Sequence, residues 1–180
     1  MKRILYYLLW TLGSLLAGAV SLEARHIIGG EITYECLGGG QYDFTLKIYR
    51  DCNCTMCADF DPVAFIAVYR CGNDVNCNSL NQNEYFTRID VPLLSRRDIE
   101  EPSYPCLIPP NVCVEEGIYR FQLNLPPSSE SYHISYQRCC RNVTINNIVD
   151  PSDSGATYTV EISPEAQQLC NNSPVFNEFP

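Results

Sequence analysis

Several stretches of this chain alternate apolar and polar residues with a period of two, and no segment sustains the 3.6-residue apolar period of a helix. Strands must therefore carry the fold. Tyr42, Phe44, Leu46 and Ile48 alternate with Asp43, Thr45 and Lys47, and Tyr119, Phe121, Leu123 and Leu125 with Arg120, Gln122 and Asn124. Tyr132, Ile134 and Tyr136 alternate with His133, Ser135 and Gln137, as Tyr158, Val160 and Ile162 do with Thr159 and Glu161. Such segments bury one face and leave the other to water, the pattern of half-buried antiparallel strands. Residues 63–69 are apolar on both faces and read as a central strand, while residues 31–36 and 85–91 are shorter candidates. Clusters of Pro, Gly, Asn and Ser at residues 73–82, 126–131 and 151–155 separate these runs.

The cysteines narrow the fold further. At the N-terminus Lys2 and Arg3 precede an apolar run from Ile4 to Leu12 that continues with small residues to Val20. A membrane anchor needs roughly 20 apolar residues, so the length alone leaves two readings open. Ala17, Ala19 and Ser21 supply the small-residue pattern of a signal-peptidase site, which makes residues 1–21 a secretory signal peptide. No second apolar stretch of spanning length follows. Cleavage removes Lys2 and Arg3 and no acid, so the net charge of −9 becomes −11, which speaks against nucleic acid as a partner. All 11 cysteines lie after the signal, and in an exported chain they read as a disulfide framework. A zinc site around Cys52, Cys54 and Cys57 is the rival, but no second knuckle or nearby histidine completes it. Short loops favour Cys106 with Cys113 and Cys71 with Cys77 as bridges, and the adjacent Cys139 and Cys140 are expected to bond to different partners. The expected architecture is an all-β, Ig-like antiparallel β-sandwich of about seven strands with disulfides over residues 25–165. Residues 166–180, with Pro174, Pro180 and several Asn, read as a linker or tail leading to further β-domains.

Four strings carry a resemblance: HIIGGEITYECLGGG (residues 26–40), TLKIYRDC (45–52), VCVEEGIYRFQLNLP (112–126) and YQRCCRNVTINNI (136–148). SGATYTVEI (154–162) and CNNSPVFNEFP (170–180) extend it over nearly the whole mature chain. The chain resembles the N-terminal module of large secreted surface proteins of Bacteroidota, adhesin-like proteins that carry a gliding-motility-associated C-terminal domain. The resemblance implies a secreted or cell-surface module and no catalytic residues. The long repeat region and C-terminal sorting domain of such proteins are not in this sequence, which therefore reads as a fragment or as a stand-alone copy of the module.

Searching the residues for chemistry leads the same way. His26 stands at the start of the mature chain, and His133 faces away from the apolar set of its strand. There is no G-x-S-x-G elbow. Gly38, Gly39 and Gly40 lack a following Lys-Ser/Thr and read as a hairpin connection instead of a phosphate loop. Calcium is the one cofactor suggested, with Asp150 and Asp153 as candidate ligands and a second acidic group at Asp51, Asp59 and Asp61; solvated turn residues are the competing reading. Arg138 and Arg141 bracket the paired cysteines and suit either an anionic group or surface acids. Two function classes follow. One is a non-enzymatic adhesion or ligand-binding module, the other an accessory polysaccharide-binding domain of a secreted hydrolase. A glycan ligand would need coplanar exposed aromatics, and Tyr34, Tyr49, Tyr85 and Tyr104 are the candidates.

Overall fold

The computed structural model describes residues 27–53, 58–71, 85–99, 113–142 and 144–174. The signal segment, His26, Cys54, Cys57, Cys77, Tyr104, Cys106 and the end of the tail lie outside those residues. Among the described residues eight strands run in chain order: β1 (Ile27–Gly38), β2 (Gln41–Asp51), β3 (Val63–Cys71), β4 (Tyr85–Pro92), β5 (Ser95–Asp98), β6 (Val114–Asn124), β7 (Ser131–Arg138) and β8 (Ala156–Ile162). One helix, α1 (Pro164–Leu169), follows.

The strands form two antiparallel four-stranded sheets, β1-β2-β6-β5 and β4-β3-β7-β8. In immunoglobulin lettering these are the ABED sheet and the GFC sheet extended by C′, so the chain is an Ig-like sandwich. The alternating apolar residues meet between the sheets. Phe44, Leu46 and Ile48 from β2 and Tyr119 from β6 face Ile66, Val68 and Ile134, all without exposed surface. Each such side chain stabilises the fold by roughly 1.5–3 kcal/mol relative to exposure. Tyr132, near the start of β7, donates its hydroxyl to Pro126 O at 2.7 Å, the tyrosine corner of Ig-like domains. Between β1 and β2 the three glycines all adopt positive φ, 89°, 61° and 82°, which turns the chain within a hairpin no β-branched residue would close.

Two elements depart from the expectation. β5, sequence Ser-Arg-Arg-Asp, is fully exposed and has no apolar alternation, so pattern alone does not reveal it. Pairing with β6 holds it, from Ser95 opposite Ile118 to Asp98 opposite Glu115. Arg97 lies 2.6 Å from Glu116, and Arg96 lies 3.5 Å from Glu115. α1 is too short for a helical period. Ser163 caps it through Ala166 N–H at 3.3 Å, and Pro164 opens it.

One of the two local pairs expected is overturned, while the pairing of Cys71 with Cys77 lies outside the described residues. Cys113 is bonded to Cys52, not to Cys106. Cys52 directly follows β2 and Cys113 directly precedes its neighbour β6, so the register brings their Cα atoms to 5.1 Å across 61 residues of sequence. Sheet pairing overrides sequence proximity here. Cys36 of β1 is bonded to Cys170 just after α1, and Cys139 is bonded to its neighbour Cys140 instead of to a different partner. Cys71 is also disulfide-bonded, and all seven described cysteines are oxidised. Packing continues past residue 165: Ser173 N donates to Tyr34 O at 3.0 Å, and Asn172 Oδ1 accepts from Cys36 N at 2.8 Å. The bridge to Cys170 holds this segment on the outer edge of β1.

Candidate functional site

The outer face of the β4-β3-β7-β8 sheet is the surface least explained by folding. β3 turns Ala64, Ile66 and Val68 inward, and the alternate residues Phe65, Ala67 and Tyr69 outward. Phe65 is 54% exposed although nothing in a folded core requires a phenyl group there. A register shift between Val68 and Tyr69 lets Phe86 of β4 turn inward against Tyr132, with ring centroids 5.4 Å apart, while Tyr85 stays outside. Tyr85 then meets Tyr69 edge to face at 6.2 Å. The Arg88 guanidinium lies 4.2 Å from the Phe65 ring centroid and donates to Asp90 at 3.1 Å. Two rows cross the sheet from this aromatic group: Arg88, Ala67, Ser135 and Thr159, and Tyr85, Tyr69, His133 and Glu161. Ser135 and Thr159 share a hydroxyl hydrogen bond, and His133 Nε2 stands 4.0 Å from Glu161. The outward orientation expected of His133 holds, with the Glu161 carboxylate beside it.

A second polar concentration lies around residues 58–61, between the ends of β2, β5, β6 and β7. Arg50, 13% exposed, meets Glu115 at 2.5 Å and Asp59 at 3.3 Å. Arg96 reaches Asp59 at 3.1 Å. Partial burial pushes the Asp59 carboxyl up, but the Phe60 N–H and the two guanidiniums outweigh it and hold the group below its ordinary range. Asp61 accepts from the Tyr136 hydroxyl at 2.5 Å and faces Arg138 at 3.4 Å. Burial, then the Asp61 charge, pushes the Tyr119 phenol up to about 12, and its hydroxyl donates to Asp61 O at 2.7 Å. These groups pair with one another, although Arg138 Nη1 is buried without a hydrogen-bond partner. Their pairing ties residues 58–61 to β2, β5, β6 and β7, so the chemistry is that of a structural clasp.

Among the described residues the candidate calcium ligands form no group of three. Asp51 accepts from Asn142 and Asn53, and Asp59 and Asp61 are taken by arginines. Asp150 sits at φ 47° before the 3-10 turn Pro151–Asp153, and its carbonyl accepts from Asp153 N at 2.9 Å. Both are exposed turn residues, and among the described residues no three His, Cys, Asp or Glu converge on a point. Arg138 is drawn to Asp59 O and Asp61, while Arg141 donates to Gly155 O at 3.0 Å.

No family model, curated protein or solved structure matches this chain. Among the tyrosines, Tyr34 is a correction: it points inward and packs 6.0 Å from both Tyr42 and Phe44. Tyr49 donates to Glu31 at 3.2 Å, and burial together with Glu31 and Glu116 pushes its phenol far up. Tyr85 alone of the described candidates is exposed. Phe65, Tyr69 and Arg88 join it without having been singled out from sequence; the available signal was a strand apolar on both faces with only one covering layer. Oxidised cysteines are compatible with an extracytoplasmic protein, and no helix among the described residues is long and apolar enough to cross a membrane.

Proposed function

We propose that the chain is a non-enzymatic module of the cell exterior, secreted or surface-bound, that adheres to or binds a ligand through the outer face of the β4-β3-β7-β8 sheet. The exposed group of Phe65, Tyr69, Tyr85 and Arg88 carries this reading, because aromatic and arginine side chains dominate the energetics of recognition surfaces. The resemblance to N-terminal modules of Bacteroidota surface proteins supports the same role, as the first unit of a larger adhesin-like protein. Among the described residues the alternative of a polysaccharide-binding accessory domain has less support. A stacking platform needs coplanar rings, whereas Tyr69 and Tyr85 stand at 71° and Arg88 covers Phe65.

The mature chain, screened against a glycan array and a panel of extracellular proteins, checks both readings. Protein binding that weakens at least roughly tenfold in Phe65→Ser and Tyr85→Ser, and is unchanged in Arg120→Ser on the other sheet, is the expected result. Glycan binding lost in the same two variants would favour the accessory-domain reading instead. A bound ligand indifferent to both variants would remove this face from the account.

A further inference from the structure

We infer that the Cys139–Cys140 bridge is a reversible thiol-exchange site that sets the conformation of the connection between β7 and β8. Cys36–Cys170 and Cys52–Cys113 close 134 and 61 residues of sequence, but Cys139 and Cys140 are neighbours. A disulfide stabilises a fold chiefly by restricting the unfolded chain, and the restriction grows with the loop enclosed. A bridge between neighbours encloses nothing, so opening it leaves the sandwich intact.

Its position makes it open to attack. Cys139 is exposed and lines a cleft of about 340 Å³ with Gln137, Arg138, Gly155, Ala156 and Thr157; Cys170 is exposed as well, but its bridge partner Cys36 is half-buried and packs against the core. An external low-molecular-weight thiolate attacks Cys139 Sγ, forming a mixed disulfide and releasing Cys140 as thiolate. A second external thiolate attacks the outer sulfur of that mixed disulfide and frees Cys139. The chain gains two electrons and, at equilibrium, two protons, while two external thiols become one external disulfide.

Cys140 transmits the change. It holds φ 83°, which a non-glycine residue rarely adopts, between the bridge on one side and firm anchors on the other. Arg141 N donates to Pro151 O at 3.0 Å and to Ser154 O at 3.1 Å, and Asn142 N donates to Ile27 O at 3.1 Å. With the bridge open, Cys140 returns toward negative φ and pulls on those anchors. Residues 141–155 then loosen at the end of the sandwich.

The test is graded reduction of the oxidised mature chain with glutathione at neutral pH, with alkylation and site-resolved mass spectrometry. Cys139 and Cys140 should become alkylated roughly tenfold faster than Cys36, Cys52, Cys113 and Cys170. Amide exchange over residues 141–155 should rise while the melting temperature stays within about two degrees, since no long loop is released. Cys139→Ser/Cys140→Ser should show the same exchange without reductant. Equal or slower alkylation of the pair, unchanged exchange after its opening, or a native map joining either cysteine elsewhere would overturn the inference.

Discussion

Gly40 and Gly39 lie in one turn but answer to different physics. At Gly40, with φ 82°, an added Cβ would sit 2.8 Å from Leu125 O, a backbone atom that hydrogen bonding in the turn holds in place. Gly40→Ala should therefore cost roughly 1–3 kcal/mol in urea unfolding, from strain and clash together. Gly39, with φ 61° and nothing within 4 Å of a Cβ, should accept Asn at little cost, because Asn tolerates the left-handed region. Asp59 gives a pH signature. Its folded pKa lies below the ordinary 3.8, so the unfolded chain binds the proton more readily. The stability it contributes is complete above that ordinary value and is lost as pH falls through the folded pKa. Thermal melts from pH 7 to pH 2.5 should show this loss, and Asp59→Asn should flatten it. The turn glycines and most core residues were legible from sequence, because φ preference and period-two burial are local properties. Tyr34 and the partner of Cys113 were not. The inward orientation of Tyr34 depends on the packing of β1 over β2, and the Cys52–Cys113 pair depends on β2 meeting β6 in one register.

Strands with an apolar face announce themselves, and strands held only by edge pairing do not. That contrast separates β2, β6, β7 and β8, each visible in the alternation, from β5, whose four residues are all exposed. The tail shows the same limit: α1 offers no period, and its position is fixed by contacts distant in sequence. Gln167 binds Glu130 O at 2.9 Å and accepts from Ser128 N at 2.9 Å, while Cys170 anchors the exit to β1. The Cys36→Ser/Cys170→Ser variant is expected to lose about 2–4 kcal/mol. Amide exchange should locate the change, with protection falling across α1 and residues 171–174 and persisting in β2 and β6. Uniform loss across every strand would mean that the bridge supports the sandwich itself instead of its last segment.

At the scale of the whole molecule, the two sheets, the bridges and the clasp of paired charges describe a domain stabilised without a metal-like cluster among its described residues and with its ionisable groups set against one another. Among the described residues Lys47, Arg50, Arg70, Arg88, Arg96, Arg97, Arg120 and Arg138 all face carboxylates. Exposed pairs contribute little each, and raising salt should change the stability only slightly. What the fold leaves over among the described residues is the aromatic face, on which the proposed binding role rests. The Ig-like sandwich is disulfide-bonded, as is compatible with an environment outside the cytoplasm. Peptide mapping of the native protein under non-reducing conditions tests its bridges. The expected map joins Cys36 to Cys170 and Cys52 to Cys113, with none of the four open to alkylation before reductant is added. Free thiols at those positions in native material, or Cys113 joined to Cys106, would contradict it.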